Sequence, residues 1–294
     1  MKDNIKYIKA FMKYIWRDKS FFIGLIMLTV FMMLAFVVSF LSPYDPRRWN
    51  TAPRERPPSW EYPLGTTTLG QNLFWLLTWA LRNSLIIGFS GSLIGLIIGS
   101  ILGFIAGHKG GIIDRIISNI ADIFIAIPIL MLIILIGSLI KTQLNITTLG
   151  VLFGVLTWSM PVRNVRSMIL SLREQEFTYT DIFSGLNLLE IVYRHYLPFV
   201  IPWISMAAIN RIFWAIGTEV TLAIFGLSAI DEATLGTMLY WALKYQALLR
   251  GLYWWVLTPT ITLVLLFLSL YLISVGLNTY LNPKARLQRM IGGK

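Results

Sequence analysis

Two ionisable residues, Arg211 and Glu219, interrupt an apolar stretch that runs from Leu197 to Ile230. Eight residues apart on a helix, they lie about 80° from one another around its axis and share a broad face. A charge at mid-bilayer costs about 2.5 to 3.5 kcal/mol on insertion scales, so neither side chain is expected to face lipid. Their chemistry allows pairing with each other or across subunits, lining of a wet translocation path, or an ion or proton relay; Arg211 could also snorkel toward an interface. Other site chemistries are poorly represented. The chain has no cysteine and two histidines, His108 and His195. That excludes a disulfide, a thiolate zinc site, an iron–sulfur cluster and a cysteine nucleophile, and leaves no histidine-rich metal site.

The elements that must hold these charges are read from composition. In 294 residues, 56% are hydrophobic, 13% are charged and the mean hydropathy is +0.69, too apolar for a water-soluble domain. The net charge of +11 then points to an anionic lipid surface. Nucleic acid fits poorly, because the basic residues are dispersed over loops and not gathered on one face. A spanning helix needs about 20 apolar residues. Six stretches qualify: 21–41, 83–107, 123–140, 142–162, 197–230 and 251–283. The fold class is therefore all-α, a polytopic membrane protein of six transmembrane helices. Its first span is a retained anchor, since its apolar run is too long for a cleaved signal and no small-residue cleavage site follows.

Segments 1–20 and 284–294 are read as cytoplasmic, 42–82 as an extracellular loop and 83–283 as a core of five further spans. Lysines and arginines of the loops thus placed inside outnumber those outside, which favours both termini in the cytoplasm of a multi-pass plasma-membrane protein. Glycines 88, 91, 95, 99 and 103 recur every three or four residues and form a smooth stripe for close helix packing. Pro128 is expected to kink the third span, and Pro161 and Pro198 to mark where helices leave or enter the membrane. The extracellular loop, with six prolines among Trp49, Trp60 and Tyr62, reads as a folded cap. The inner interval 161–196 has helical apolar spacing (Ile182, Leu186, Leu189, Val192) among charges, broken at Gly185. A helix, a glycine turn and a second helix make a knob suited to a groove on a soluble partner or to the membrane surface.

Gly185 followed after eleven residues by Leu197-Pro198 resembles the EAA loop of permease subunits from ATP-binding-cassette importers, the loop that carries the coupling helix. Tyr44-Asp45-Pro46, Pro63-Leu64-Gly65-Thr66 with Leu69-Gly70, Arg82-Asn83-Ser84-Leu85, Gly107 to Gly111, Ser171-Leu172-Arg173-Glu174 and Arg194-His195 resemble the dipeptide and oligopeptide permease group, as its second, C-type subunit. Where the family has Glu-Ala-Ala, this chain has Tyr179-Thr180-Asp181, leaving Glu176 or Asp181 to stand for the family glutamate.

The resemblance implies a pore-forming subunit for import of peptides or oligosaccharides. Its expected partners are a second related permease, two ATPase subunits, an extracellular substrate-binding protein and membrane lipid. The chain has no Gly-x-x-x-x-Gly-Lys-Ser/Thr loop, so no cofactor is expected on it. ATP and Mg would belong to partner subunits, and the chain would not itself be an enzyme. Expected coupling contacts are Phe177, Ile182, Phe183 and Leu186 by packing, Gly185 as the turn, and Arg173, Glu176 and Asp181 as polar contacts. The alternative is a secondary transporter or channel that uses Arg211 and Glu219 as an ion or proton relay.

Overall fold

The computed structural model describes residues 18–139, 145–175 and 188–281. Among the described residues every regular element is helical, apart from one isolated antiparallel bridge between Thr66 and Asn72. The helices are α1 (Lys19–Phe36), continued by a 3-10 turn (Val38–Leu41), α2 (Leu73–Lys109), α3 (Gly111–Ala126), α4 (Ile129–Leu139), α5 (Ile146–Leu156), α6 (Ser159–Arg173), α7 (Leu197–Ile224), α8 (Leu235–Lys244) and α9 (Tyr253–Leu281). A short helical lead-in, Leu188–Ile191 and then the π-helical Val192–Tyr196, precedes α7.

Four helices are long and apolar enough to cross a bilayer alone: α1 with its 3-10 extension, α2, α7 and α9. Two further spans are each broken. α3 and the start of α4 meet at 79°, and α5 and α6 at 42°, so six spans result when each bent pair counts as one. The first break exceeds the expected kink. Ile127 is extended (φ −81°, ψ 127°), the conformation favoured before a proline, and Pro128 cannot donate to continue α3. At the second break Pro161 occupies the first turn of α6, where its missing N–H costs nothing; in a continuous helix its ring would clash with the carbonyl four residues back. α2 starts at Leu73, ahead of Asn83, and takes Arg82 into the helix. The guanidinium of Arg82 lies over the rings of Phe40 (4.8 Å) and Trp79 (5.9 Å), so the charge is accommodated without ending the helix.

The chain divides into two compact units, one of Met1–Leu85 with Glu219–Lys294 and one of Ile86–Thr218. In the first, α1 packs on α9 through two glycines. A Cβ at Gly24 would stand 2.8 Å from Leu272 Cβ, and one at Gly276 2.6 Å from Phe21 Cβ. Asp18 caps α1 by accepting from Phe21 N at 3.1 Å.

The cap of this unit is folded by backbone bonds and buried polar anchors. Gly65 and Gly70 adopt positive φ, Gln71 Nε2 donates to the carbonyls of Pro46 and Arg47, and Trp254 Nε1 donates to Thr66 O. In the second unit the glycine stripe of α2 receives α5, α6 and α7. Cβ atoms at Gly99, Gly103 and Gly107 would fall 2.5 to 2.8 Å from Pro161, Val165 and Ile169. Ordinary close packing accounts for the stripe.

Candidate functional site: the intramembrane charges and the coupling end

α7 carries both intramembrane charges, and each has partners inside its own unit. Glu219 is 0% exposed. Its Oε1 accepts from Ser228 Oγ at 3.0 Å and Thr234 Oγ1 at 2.7 Å. Both donors belong to the segment that links α7 to α8, and Thr234 is also the N-cap of α8 in a capping box with Thr237. Oε2 lies against Gly236, whose N–H faces the carboxylate from the first turn of α8 but falls outside full hydrogen-bond geometry. A side chain at Gly236 would sit 2.9 Å from Oε2, so only glycine lets the helix start this close to the acid. A buried carboxylate at a helix N-terminus also complements the helix dipole.

The same segment is held from α2. Asn83 Nδ2 donates to Ala233 O at 2.7 Å and Leu235 N donates to Ser84 Oγ at 3.0 Å. A structural reason thereby attaches to the Asn83-Ser84 pair, which the sequence marked only through the resemblance of Arg82-Asn83-Ser84-Leu85 to the permease group. Glu219 is thus the centre of a polar knot of five residues: Glu219, Ser228, Thr234, Asn83 and Ser84.

Arg211 sits in the other unit. Its Nη2 donates to Thr157 Oγ1, and Thr157 Oγ1 donates to Phe153 O at 2.7 Å. Thr157 is the C-cap of α5 and bonds its last carbonyls itself, so the guanidinium is held at the C-terminal end of a helix through the hydroxyl that caps it. Gly95 on α2 makes room for it, since a Cβ there would overlap Arg211 Nη2. Arg211 Nε is buried and donates to no acceptor among the described residues.

From this break α6 runs to Arg173 and so occupies the first part of the expected coupling loop, 161–196. α6 is fastened to α3 by ion pairs of Arg166 with Asp114, through both carboxylate oxygens, and of Arg163 with Asp122 at 2.9 Å. Neither pair was anticipated from sequence, because the partners are 52 and 41 positions apart. Arg173 Nη1 donates to His108 O at 3.1 Å, which ties the end of α6 to the end of α2. That contact is internal. Glu176, Phe177, Asp181, Ile182, Phe183, Gly185 and Leu186 lie outside the described residues. On the far side of the loop Ile191, Tyr196 and Val200 pack with Val165 and Ile169 of α6, so both flanks of the loop rest on one buried cluster.

Residues 95–287 match the family described as the binding-protein-dependent transport system inner membrane component. The chain belongs to that family. It is the membrane permease subunit of a binding-protein-dependent ABC importer, a multi-pass protein of the plasma membrane. Residues 6–58 also match the N-terminal transmembrane domain of oligopeptide transport permease C. Curated relatives include the dipeptide transport system permease protein DppC of Alkalihalophilus pseudofirmus, 31% identical over 93% of this chain and 89% of the relative. The oligopeptide transport system permease protein OppC of Bacillus subtilis is 28% identical over 92% of this chain and 90% of its own. Among solved structures, two chains of the inward-facing MetNI methionine ABC transporter share the fold. Their TM-scores are 0.50 and 0.52 at 22% identity, covering 71% and 70% of this chain and 96% and 95% of theirs.

Proposed function

We propose that this permease imports peptides, as one half of a pore completed by a second, related permease. Two ATPase subunits on the cytoplasmic side would bind ATP and Mg, and an extracellular binding protein would deliver the solute. The observation that carries the reading is the 31% identity to a dipeptide permease over 93% of the chain. The excess of positive residues on the loops after even-numbered spans supports both termini inside, with the cap and the α7–α8 segment outside. In this arrangement the coupling residues Arg173 to Leu186 seat in the ATPases, and closure around nucleotide moves α6 about its break with α5. Arg211 holds that break through Thr157, and Glu219 holds the outer segment; both act as structural anchors beside the path.

The test is reconstitution of the permease with its neighbouring subunits and binding protein in proteoliposomes. A labelled dipeptide is expected to accumulate only with ATP inside the ATPase compartment. Uptake of an oligosaccharide in place of the peptide, or peptide uptake without ATP, overturns the reading.

A further inference from the structure

Arg82 is half-buried and makes no hydrogen bond or ion pair among the described residues. Its guanidinium carbon lies 4.8 Å from the centre of the Phe40 ring and 5.9 Å from that of Trp79. Arg47 is the contrast. It lies 5.3 Å from the centre of the same Trp79 ring, but its Nε and Nη2 donate to Asp45 at 3.0 Å and its Nη1 to Glu232 at 2.9 Å. The N–H donors of Arg82 have aromatic faces beside them and no acceptor among the described residues. The aromatic wall is itself fixed, since Trp79 Nε1 donates to Ser39 O at 3.1 Å and ties α2 to the 3-10 turn that follows α1.

Arg82 stands where two spans leave the apolar layer on the side that carries the cap. Residues 83–107 after it carry no charge, and Phe40 and Leu41 end the uncharged run 21–41. From Phe40 an exposed apolar strip runs back along α1. Val37, Met33, Val30 and Ile26 recur at spacings of three and four residues, and each is about half exposed. Phe40 to Val30 spans about 15 Å of helix, the depth of one leaflet of a hydrocarbon core roughly 30 Å thick.

A cation with open donors at the head of an apolar strip of this length matches an anionic group that carries a long chain. A phosphodiester accepts two parallel N–H bonds from a guanidinium, which no aromatic ring can do. We propose that Arg82 holds the phosphodiester of a glycerophospholipid in the leaflet on the cap side, with one acyl chain lying along Phe40, Val37, Met33 and Val30. The site does not depend on which solute the permease carries. The bound lipid braces the contact of Arg82 with Phe40 and Trp79, where the cap-side ends of α1 and α2 meet.

The experiment titrates three probes onto the full chain in detergent and reads the first tight adduct by native mass spectrometry: dioleoylphosphatidylglycerol, dioleoylglycerol, which has the same tails without phosphate, and glycerol phosphate, which has no tails. Phosphatidylglycerol is expected to bind about tenfold more tightly than dioleoylglycerol, the size of a charged hydrogen bond. Glycerol phosphate should not be retained. In Arg82→Gln the two lipids should bind alike, and in Arg82→Lys, which keeps the charge without the planar fork, a preference of a few-fold should remain. Equal binding of the two lipids to the native chain overturns the proposal, as does a tenfold preference that survives in Arg82→Gln. Glycerol phosphate held as tightly as phosphatidylglycerol overturns the lipid assignment, because a free anion then suffices. The same titration on the chain assembled with its neighbouring subunits separates lipid from protein. The preference should persist there, and its loss on assembly means that another subunit covers Arg82 and overturns the proposal.

Discussion

Glu219 and Arg211 stand eight residues apart on one helix, yet their surroundings differ in kind. Glu219 is sealed, accepting from two hydroxyls at the start of a glycine-opened helix. Arg211 is part-buried, held by one threonine at the end of a broken helix, with its Nε donating to no acceptor among the described residues. The lesson is that an intramembrane charge is tolerated in two ways. It can be the centre of a polar knot that needs it, or be held at the C-terminal end of a helix by the residue that caps it. The first use is rigid; the second leaves room for the bend to change.

The largest effect is expected at the knot. Glu219→Ala leaves the Ser228 and Thr234 hydroxyls without their acceptor at a cost of about 1 to 3 kcal/mol each. Assembled complex on a detergent gel should fall to a small fraction, and Glu219→Gln, which keeps one acceptor oxygen, should restore most of it. Wild-type assembly of the alanine variant would place Glu219 outside any structural role. Next comes the seam beside Arg211. Gly99→Val drives a side chain into Pro161 and the Trp158 carbonyl, an overpacking cost of about 1 to 3 kcal/mol. Thermal unfolding of the purified chain should shift down accordingly.

A third change leaves both charges intact and acts on the lever that α6 extends. Gly185→Val is expected to reduce peptide transported per ATP hydrolysed by about tenfold, a typical coupling energy, while the complex still assembles. Unchanged stoichiometry in an assembled variant removes the coupling role. Arg211→Met tests the other half of the contrast. Loss of a charged hydrogen bond, about 1.5 to 3 kcal/mol, is offset by relief of an insertion cost of about 2.5 to 3.5 kcal/mol. Assembly should therefore hold while transport changes a few-fold; collapse of assembly would make Arg211 as rigid an anchor as Glu219.

The smallest effect is at the cap, outside the membrane. The Arg47 guanidinium holds the Asp45 carboxyl below the usual carboxylate range. A depressed acid stabilises the folded cap above its unfolded pKa, about 3.9, and that contribution is lost as pH falls through the lower folded value. Hydrogen exchange in 43–51 should rise below about pH 4, and Asp45→Asn should remove the acid step. The change should be slight and salt-sensitive, since this ion pair is partly exposed.

The four unbroken spans, the folded cap and the glycine seam were legible in the sequence because each rests on local regularities: apolar length, clustered turn residues, and a three-to-four spacing; the third and fourth, expected at 123–140 and 142–162, are instead bent pairs that begin at Gly111 and end at Arg173. Pro128 announced a disturbance, but not that it would be a 79° break. The Asp114–Arg166 and Asp122–Arg163 pairs were invisible, since a charge on a predicted helix carries no mark of which distant charge it will meet. Asn83 and Ser84 were legible as a family pattern and not as anchors, because what they hold, residues 233–235, lies some 150 positions away.

By itself the sequence determined that this chain lives in a bilayer, carries no nucleotide loop and places two charges on its fifth span, because the energy of burying apolar length and excluding charge is additive along the chain. Only the tertiary structure decided what those charges do. The partner of a buried ion is chosen by which helix ends and hydroxyls packing delivers within hydrogen-bond reach, a property of three-dimensional proximity that no local pattern encodes.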